Sequence, residues 1–290
     1  MGSWQECRNA GTVERMTRIG IIGGGNIGEA LFSGIIGDGT DPKSIIVADP
    51  TPKRLEQLQE QYGVVTTEDS SEAADGADYL FICVKPDVVP TVLDDISEAL
   101  NSNGDTVVVS VAAGVTISTI EGALSAGTPV VRVMPNTPML VGKGASGLAG
   151  GRYAEQSHVE AVQELLSATG TAVIVKEKDL DAVTAVSGSG PAYIFMVAEA
   201  MIDAGVNLGL PRPLAQELAV ATVEGAATMM AKNQAEEDGD DPAALRAKVS
   251  SPGGTTAAAT RTLDEEGLRR AFYKAMQACK DRSVELGKSD

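Results

Sequence analysis

The stretch Ile19-Gly20-Ile21-Ile22-Gly23-Gly24-Gly25-Asn26-Ile27-Gly28 decides how the chain is read. Four residues with the look of a short buried strand run straight into G-x-G-x-x-G, and the following residues 29–36 read as a helix. Each glycine has a separate physical task at such a junction. Gly23 permits the tight turn, Gly25 lets backbone approach a pyrophosphate, and Gly28 lets helix and strand pack closely. The helix N-terminus then turns unpaired N–H groups toward the phosphates. The other reading of the same residues is an ordinary strand-to-helix turn.

Working outward, β-branched runs recur at 19–22, 45–48, 79–84, 106–111, 129–134 and 172–175. They are almost continuously apolar, as strands buried on both faces should be. Helical stretches alternate with them, among them 53–62 and a polar one at 155–166. This alternation predicts an α/β domain with a doubly wound parallel sheet over residues 17–178. Residues 1–16 show no periodicity and are expected to be an N-terminal extension. After Lys178 the β-branched runs stop. Residues 179–185, 192–204, 213–232, 241–249, 256–265 and 268–286 all read as helices, so 179–290 is expected to be an all-helical domain. Residues 192–204 are apolar nearly all round, which in a segment this short predicts a subunit interface.

Composition narrows the function. The chain has 290 residues with 40 Asp and Glu against 23 Lys and Arg, a formal charge of -17, which argues against nucleic acid and anionic membrane surfaces as partners. The longest uninterrupted apolar runs, such as 193–198, fall well short of the ~20 residues that cross a bilayer, and no signal peptide opens the sequence. Cys7, Cys83 and Cys279 form no C-x-x-C pair, which points to a reducing, cytoplasmic setting. The single histidine, His158, sits in a polar helical stretch and reads as a surface residue. It cannot build a Ser-His-Asp triad there or a histidine-rich metal site, so no metal is expected. The acidity is spread along the chain, as on a surface kept hydrated in concentrated salt. The alternative is a mildly acidic protein with one acidic loop at 236–241.

Several residues are candidates for the chemistry. Asp49 ends the second predicted strand 21 residues beyond Gly28, where a carboxylate can accept from the adenine-ribose diol. Lys53 and Arg54 follow, and either could neutralise a ribose 2′-phosphate. Cys83-Val84-Lys85-Pro86 and Ala112-Ala113-Gly114 close two further strands at the ends where such sheets bind ligands. The turn 132–138 carries two prolines and could present Asn136 to a cleft. The loop Val249-Ser250-Ser251-Pro252-Gly253-Gly254-Thr255-Thr256 lies between two predicted helices. Its glycines let N–H groups converge at a helix start, where a small anion such as a carboxylate would sit. The alternative there is plain helix capping by Ser and Thr.

Taken in order, Gly23 to Gly28, Val84-Lys85-Pro86, Ala112-Ala113-Gly114, Met134-Pro135-Asn136-Thr137-Pro138, Gly188-Ser189-Gly190-Pro191-Ala192-Tyr193 and Ser250 to Thr256 resemble the pyrroline-5-carboxylate reductase family. The resemblance covers residues 17–287, and 249–264 follow the family signature closely. It implies a Rossmann-type parallel-sheet domain followed by an all-helical dimerisation domain, with homodimers that often assemble into decamers. It implies NADPH or NADH as cofactor and reduction of the C=N bond of 1-pyrroline-5-carboxylate to L-proline, the last step of proline biosynthesis.

On the matching positions, Gly23, Gly24, Gly25, Asn26, Ile27, Gly28, Cys83, Val84, Lys85, Pro86, Ala112, Ala113 and Gly114 would line the dinucleotide, with Asp49, Ser70 and Asn136 as further candidates. Ser251, Pro252, Gly253, Gly254, Thr255 and Thr256 would hold the substrate carboxylate. Thr256 is the expected catalytic residue, its hydroxyl on the ring nitrogen. Ser70 stands where many relatives carry asparagine and Asp49 where relatives vary, which leaves the choice between NADH and NADPH open. A related imine or hydroxyacid reductase would carry a lysine in the helix at 192–204, which has none. A dinucleotide sensor would keep the glycine loop without the 250–256 loop.

Overall fold

The computed structural model describes residues 17–287, and the expected extension at 1–16, with Cys7, lies outside them. The described chain forms two compact units. One reaches to Leu180 and is taken up again at Leu286, and the other spans Asp181–Glu285.

The first unit is built on one eight-stranded sheet in the order β3-β2-β1-β4-β5-β6-β7-β8. Its strands are β1 (Ile19–Ile22), β2 (Ile45–Ala48), β3 (Val65–Thr67), β4 (Tyr79–Ile82), β5 (Val107–Ser110), β6 (Val130–Met134), β7 (Gly144–Gly150) and β8 (Gly170–Ile174). The pairs from β3 across to β6 are all parallel. β7 then runs antiparallel to β6, and β8 parallel to β7. The expected parallel sheet is therefore extended at one edge by two reversed strands.

Six helices cover the two faces: α1 (Asn26–Gly37), α2 (Pro52–Tyr62), α3 (Ser70–Ala74), α4 (Val89–Ser102), α5 (Ile117–Ala123) and α6 (Gln156–Ser167). Strand alternation assigns the core to two layers. Ile21, Val47, Phe81 and Val131 meet Phe32, Leu58 and Val162 from α1, α2 and α6. Leu80, Ile82, Val108 and Val130 meet Ala73, Leu93, Ile96 and Ile120 from α3, α4 and α5 on the other face. Each Val, Leu, Ile or Phe among them taken from water contributes roughly 1.5–3 kcal/mol. Differences in intrinsic helix propensity stay below ~1 kcal/mol per residue, so burial decides the placement of these elements.

Two strands were not foreseen. β3 is short and polar, with Val65 exposed at the sheet edge. β7 reads Gly-Ala-Ser-Gly-Leu-Ala-Gly, which looks like a loop. Its small residues are required by close neighbours: a Cβ on Gly144 would lie 2.8 Å from Met139 Cβ, and one on Gly150 2.7 Å from Val159.

The second unit is helical: α7 (Leu180–Val183) entering it, α8 (Gly190–Asn207), α9 (Arg212–Gln234), α10 (Pro242–Lys248), α11 (Thr255–Glu265) and α12 (Leu268–Leu286) running back out. α8 and α9 form a hairpin whose close approach is set by Gly205, where a Cβ would come 3.2 Å from Ala215 Cβ. α12 packs back through an edge-on contact of Phe272 with Tyr193, centroids 6.1 Å apart, and through Ser283 Oγ donating to Asp181 Oδ1. Between α7 and α8 the chain makes a widened turn, with Ser189 N–H donating to the Thr184 carbonyl five residues back. Such turns concentrate at functional positions in helices.

Candidate functional site

The glycine loop joins β1 to α1 as the spacing required. Gly23 has φ +104°, and its N–H donates to the Ala48 carbonyl at the end of β2. A Cβ on Gly28 would sit 2.1 Å from the Gly23 carbonyl oxygen, so the helix can start against the strand only with glycine there. A Cβ on Gly25 would meet nothing within 4 Å. This open cradle lies at the N-cap of α1, whose first amides precede any carbonyl of their own helix. An anion fits it, and the first turn places a partial positive charge behind it. Ile27 faces inward and packs on the core.

Asp49 follows β2, and its carboxylate is engaged by backbone. Oδ2 accepts from Gly24 N–H at 2.9 Å and Oδ1 from Thr51 N–H at 3.0 Å. Arg54, in the first turn of α2, donates from Nε to the Gly24 carbonyl at 2.7 Å and pairs through Nη2 with Glu29 Oε2 at 2.5 Å. Tyr62 O–H donates to the other Glu29 oxygen. Burial pulls the Glu29 pKa upward, but these two hydrogen bonds and the charge of Arg54 outweigh it and hold the carboxyl below its ordinary value. Lys53 is exposed.

The other unit-one candidates are distributed along the same strand ends. Cys83 follows β4, half-buried and packed against the core, and desolvation pushes its thiol up to about 12. Val84 is half-buried, and Lys85 and Pro86 are exposed. Ala112, buried, donates its N–H to Ser110 Oγ; Ala113 is half-buried beside it. Gly114 has φ +80°, and a Cβ there would lie 2.9 Å from Leu286 Cβ, where the chain is taken up again by the first unit. Ser70 is half-buried at the start of α3, which is capped by Asp69. Asn136 is turned into the fold: it is 8 % exposed and its Oδ1 accepts from Ala145 N–H, where β7 begins.

In the second unit, Ser251, Pro252 and Gly253 are exposed, and Gly254 forms the N-cap of α11. Gly253 has φ +70° and Gly254 N–H donates to the Ser251 carbonyl, so the loop turns back just before the helix. The first amides of α11, from Thr255 and Thr256, open this turn without a carbonyl of their own helix to pair with. Neither threonine side chain makes the cap; Gly254 has no side-chain cap bond. The cleft of about 500 Å³ lined by Arg246, Thr260, Leu263, Phe272, Tyr273 and Met276 includes none of residues 251–256.

His158 is accounted for structurally. Glu155 N–H donates to its Nδ1, closing a capping box at the start of α6. Among the described residues no group of three or more His, Cys, Asp or Glu is arranged to hold a metal. Sequence reading missed the Glu29–Arg54–Tyr62 chain, since nothing in the sequence ties residues 25 and 33 positions apart. It also missed the buried Arg132, which reaches Glu177 Oε1 at 3.4 Å while that oxygen accepts from Ile117 N–H.

Comparison with known proteins gives the two units separate matches. Residues 177–286 match the family model described as pyrroline-5-carboxylate reductase dimerisation. Residues 18–114 match the one described as NADP oxidoreductase coenzyme F420-dependent. The chain is 55% identical over 274 residues to a pyrroline-5-carboxylate reductase of Corynebacterium melassecola, covering 94% of this chain and 100% of that one. It is 44% identical over 287 residues to the enzyme of that name from Mycobacterium tuberculosis, covering 93% and 97%. A solved pyrroline-5-carboxylate reductase from Coxiella burnetii superposes with a TM-score of 0.88 at 36% identity, covering 95% of this chain and 100% of that chain. With identity of this level over nearly the full length of its relatives, the chain belongs to the pyrroline-5-carboxylate reductase family.

Proposed function

We propose that this protein reduces the C=N bond of 1-pyrroline-5-carboxylate to L-proline with NADPH or NADH, the last step of proline biosynthesis. The observation that carries the reading is the presence in one chain of two anion cradles of different kinds. One is the glycine loop before α1, with its open face at Gly25; the other is the turn at 251–256 before α11. A solved family member from Plasmodium falciparum, 28% identical, has NADP bound.

Residues 17–178 take the dinucleotide in this reading. Gly23 to Gly28 hold the pyrophosphate, Asp49 and Ser70 face the adenosine, and Cys83 to Pro86 with Ala112 to Gly114 line the rest. Asn136 supports the strand ends through Ala145. When bound, the reduced nicotinamide supplies a hydride.

Residues 179–290 act on the substrate. The amides of the 251–256 turn and the N-terminus of α11 hold its carboxylate. The hydroxyl of Thr256 hydrogen-bonds the ring nitrogen and orients the ring. As hydride reaches the ring carbon, the C=N π pair moves to nitrogen, and Thr256 stabilises the amine that forms. A protonated imine is a good hydride acceptor, so alignment is the main demand on the protein, and no histidine is needed. α8 holds no lysine, which disfavours the hydroxyacid and imine reductases that use one there.

The protein is read as a cytoplasmic homodimer assembled through the helical domain, with neither nucleic acid nor membrane as partner. NADH and NADPH oxidation with 1-pyrroline-5-carboxylate, followed at low and multimolar KCl with proline as the product assayed, tests the reading. Turnover is expected. Folded protein without turnover on either cofactor at any salt would leave a different imine substrate or a binding protein.

A further inference from the structure

We propose that Arg54 and Glu29 are positioning residues for the dinucleotide loop, acting through the Gly24 backbone and not through contact with a ribose phosphate. The inference rests on reading the first unit as the dinucleotide site. Gly23-Gly24-Gly25 has no side chains and can occupy many backbone states, so a fixed cradle there needs restraint from outside. That restraint comes from two sides of Gly24. Its N–H is held by Asp49 Oδ2 at 2.9 Å, and its carbonyl by Arg54 Nε at 2.7 Å.

The second bond has a directional consequence. The Gly24–Gly25 peptide is planar and trans, so pinning the oxygen toward Arg54 aims the Gly25 N–H the opposite way. Arg54 thus sets the direction of a loop amide it does not touch. Arg54 is itself held by Glu29, and Glu29 by Tyr62, whose ring stands edge-on to the buried Phe32 at 5.2 Å. A line of contacts therefore runs from the core to the loop. Because Glu29 neutralises the guanidinium where it sits, Arg54 is poorly placed to discriminate a 2′-phosphate. That task falls to Asp49 and the exposed Lys53.

The test is direct titration of NADH and of NADPH into wild type, Arg54→Gln, Glu29→Gln and Tyr62→Phe, following the fluorescence of the reduced nicotinamide, alongside steady-state kinetics. Arg54→Gln and Glu29→Gln are expected to raise Kd about tenfold for both dinucleotides alike, with kcat at saturation and the KM of the imine within threefold of wild type. Tyr62→Phe, which removes one hydroxyl and keeps the ring, is expected to raise Kd two- to threefold. A variant that merely loosened the fold would lower Tm without moving Kd in the folded fraction, and that result overturns the proposal. A loss confined to NADPH also overturns it, making Arg54 a direct phosphate ligand. Wild type that binds neither dinucleotide overturns instead the reading of the site on which it rests.

Discussion

At the scale of single residues, chemistry and structural support fall on different side chains. Thr256 is assigned the ring nitrogen, and its hydroxyl is the group the reaction uses. Thr256→Ala is expected to lower kcat/KM by about 10- to 100-fold, the loss of a hydrogen bond to a charged group worth roughly 1.5–3 kcal/mol. Thr256→Ser should recover most of it, and circular dichroism should show both variants folded; unchanged kinetics in Thr256→Ala would remove its role. Glu29 is a support residue with a pH signature. Its pKa in the folded chain lies below the ordinary value of 4.5. Its contribution to stability is therefore fully present above that value and is lost as pH falls through the depressed folded value. The Tm gap between wild type and Glu29→Gln should be open at pH 7 and close as the solution is acidified below the ordinary carboxylate range, and a gap that persists in strong acid contradicts the assignment.

Elements place these residues, and two element junctions carry most of the requirement. The β1–α1 junction works only because Gly28 has no side chain. Gly28→Ala puts a Cβ 2.1 Å from the Gly23 carbonyl, and the helix must shift away from the strand. Overpacking of this kind costs about 1–3 kcal/mol. Dinucleotide Kd is expected to rise more than tenfold with a Tm loss of several degrees, and calorimetry showing neither change would mean that the junction can relax. The 251–256 turn ahead of α11 is the second junction. There Gly253 takes a left-handed φ of +70° that threonine or serine would adopt only under strain.

The whole molecule shows what one chain leaves unfinished. α8 has no buried residue, and Phe195 and Met196 are 66% and 68% exposed. On length and composition alone, the helical run Glu177–Asn207 would suffice to cross a bilayer, yet only 6% of its most apolar stretch is buried within the chain. The same residues lie inside the segment that matches a dimerisation model. Exposed apolar area of this kind marks an association surface. Phe195→Asp is expected to shift the protein to a smaller assembly in sedimentation velocity. Retention of the wild-type mass would place the interface on another face.

By itself the sequence determined the local patterns and the chemistry they allow. The apolar period of β1, β2 and β4 to β6, the loop at 23–28, and the helices from α8 to α12 were all legible, because each is set by residues adjacent in the chain. The loop at 251–256 was legible for the same reason, as a cluster of glycine, serine and threonine at a helix start. Tertiary structure alone decided what depends on distant neighbours. β7 is a strand because Met139, Val159 and β6 close around its small residues, a fact its own composition hides. Asn136 meets Ala145 only through the fold, its Oδ1 accepting from that N–H where β7 starts. Arg54 meets Glu29 and Gly24 only once α2 has packed beside α1, since a hydrogen bond between residues 25 or 30 apart leaves no periodic trace in the sequence.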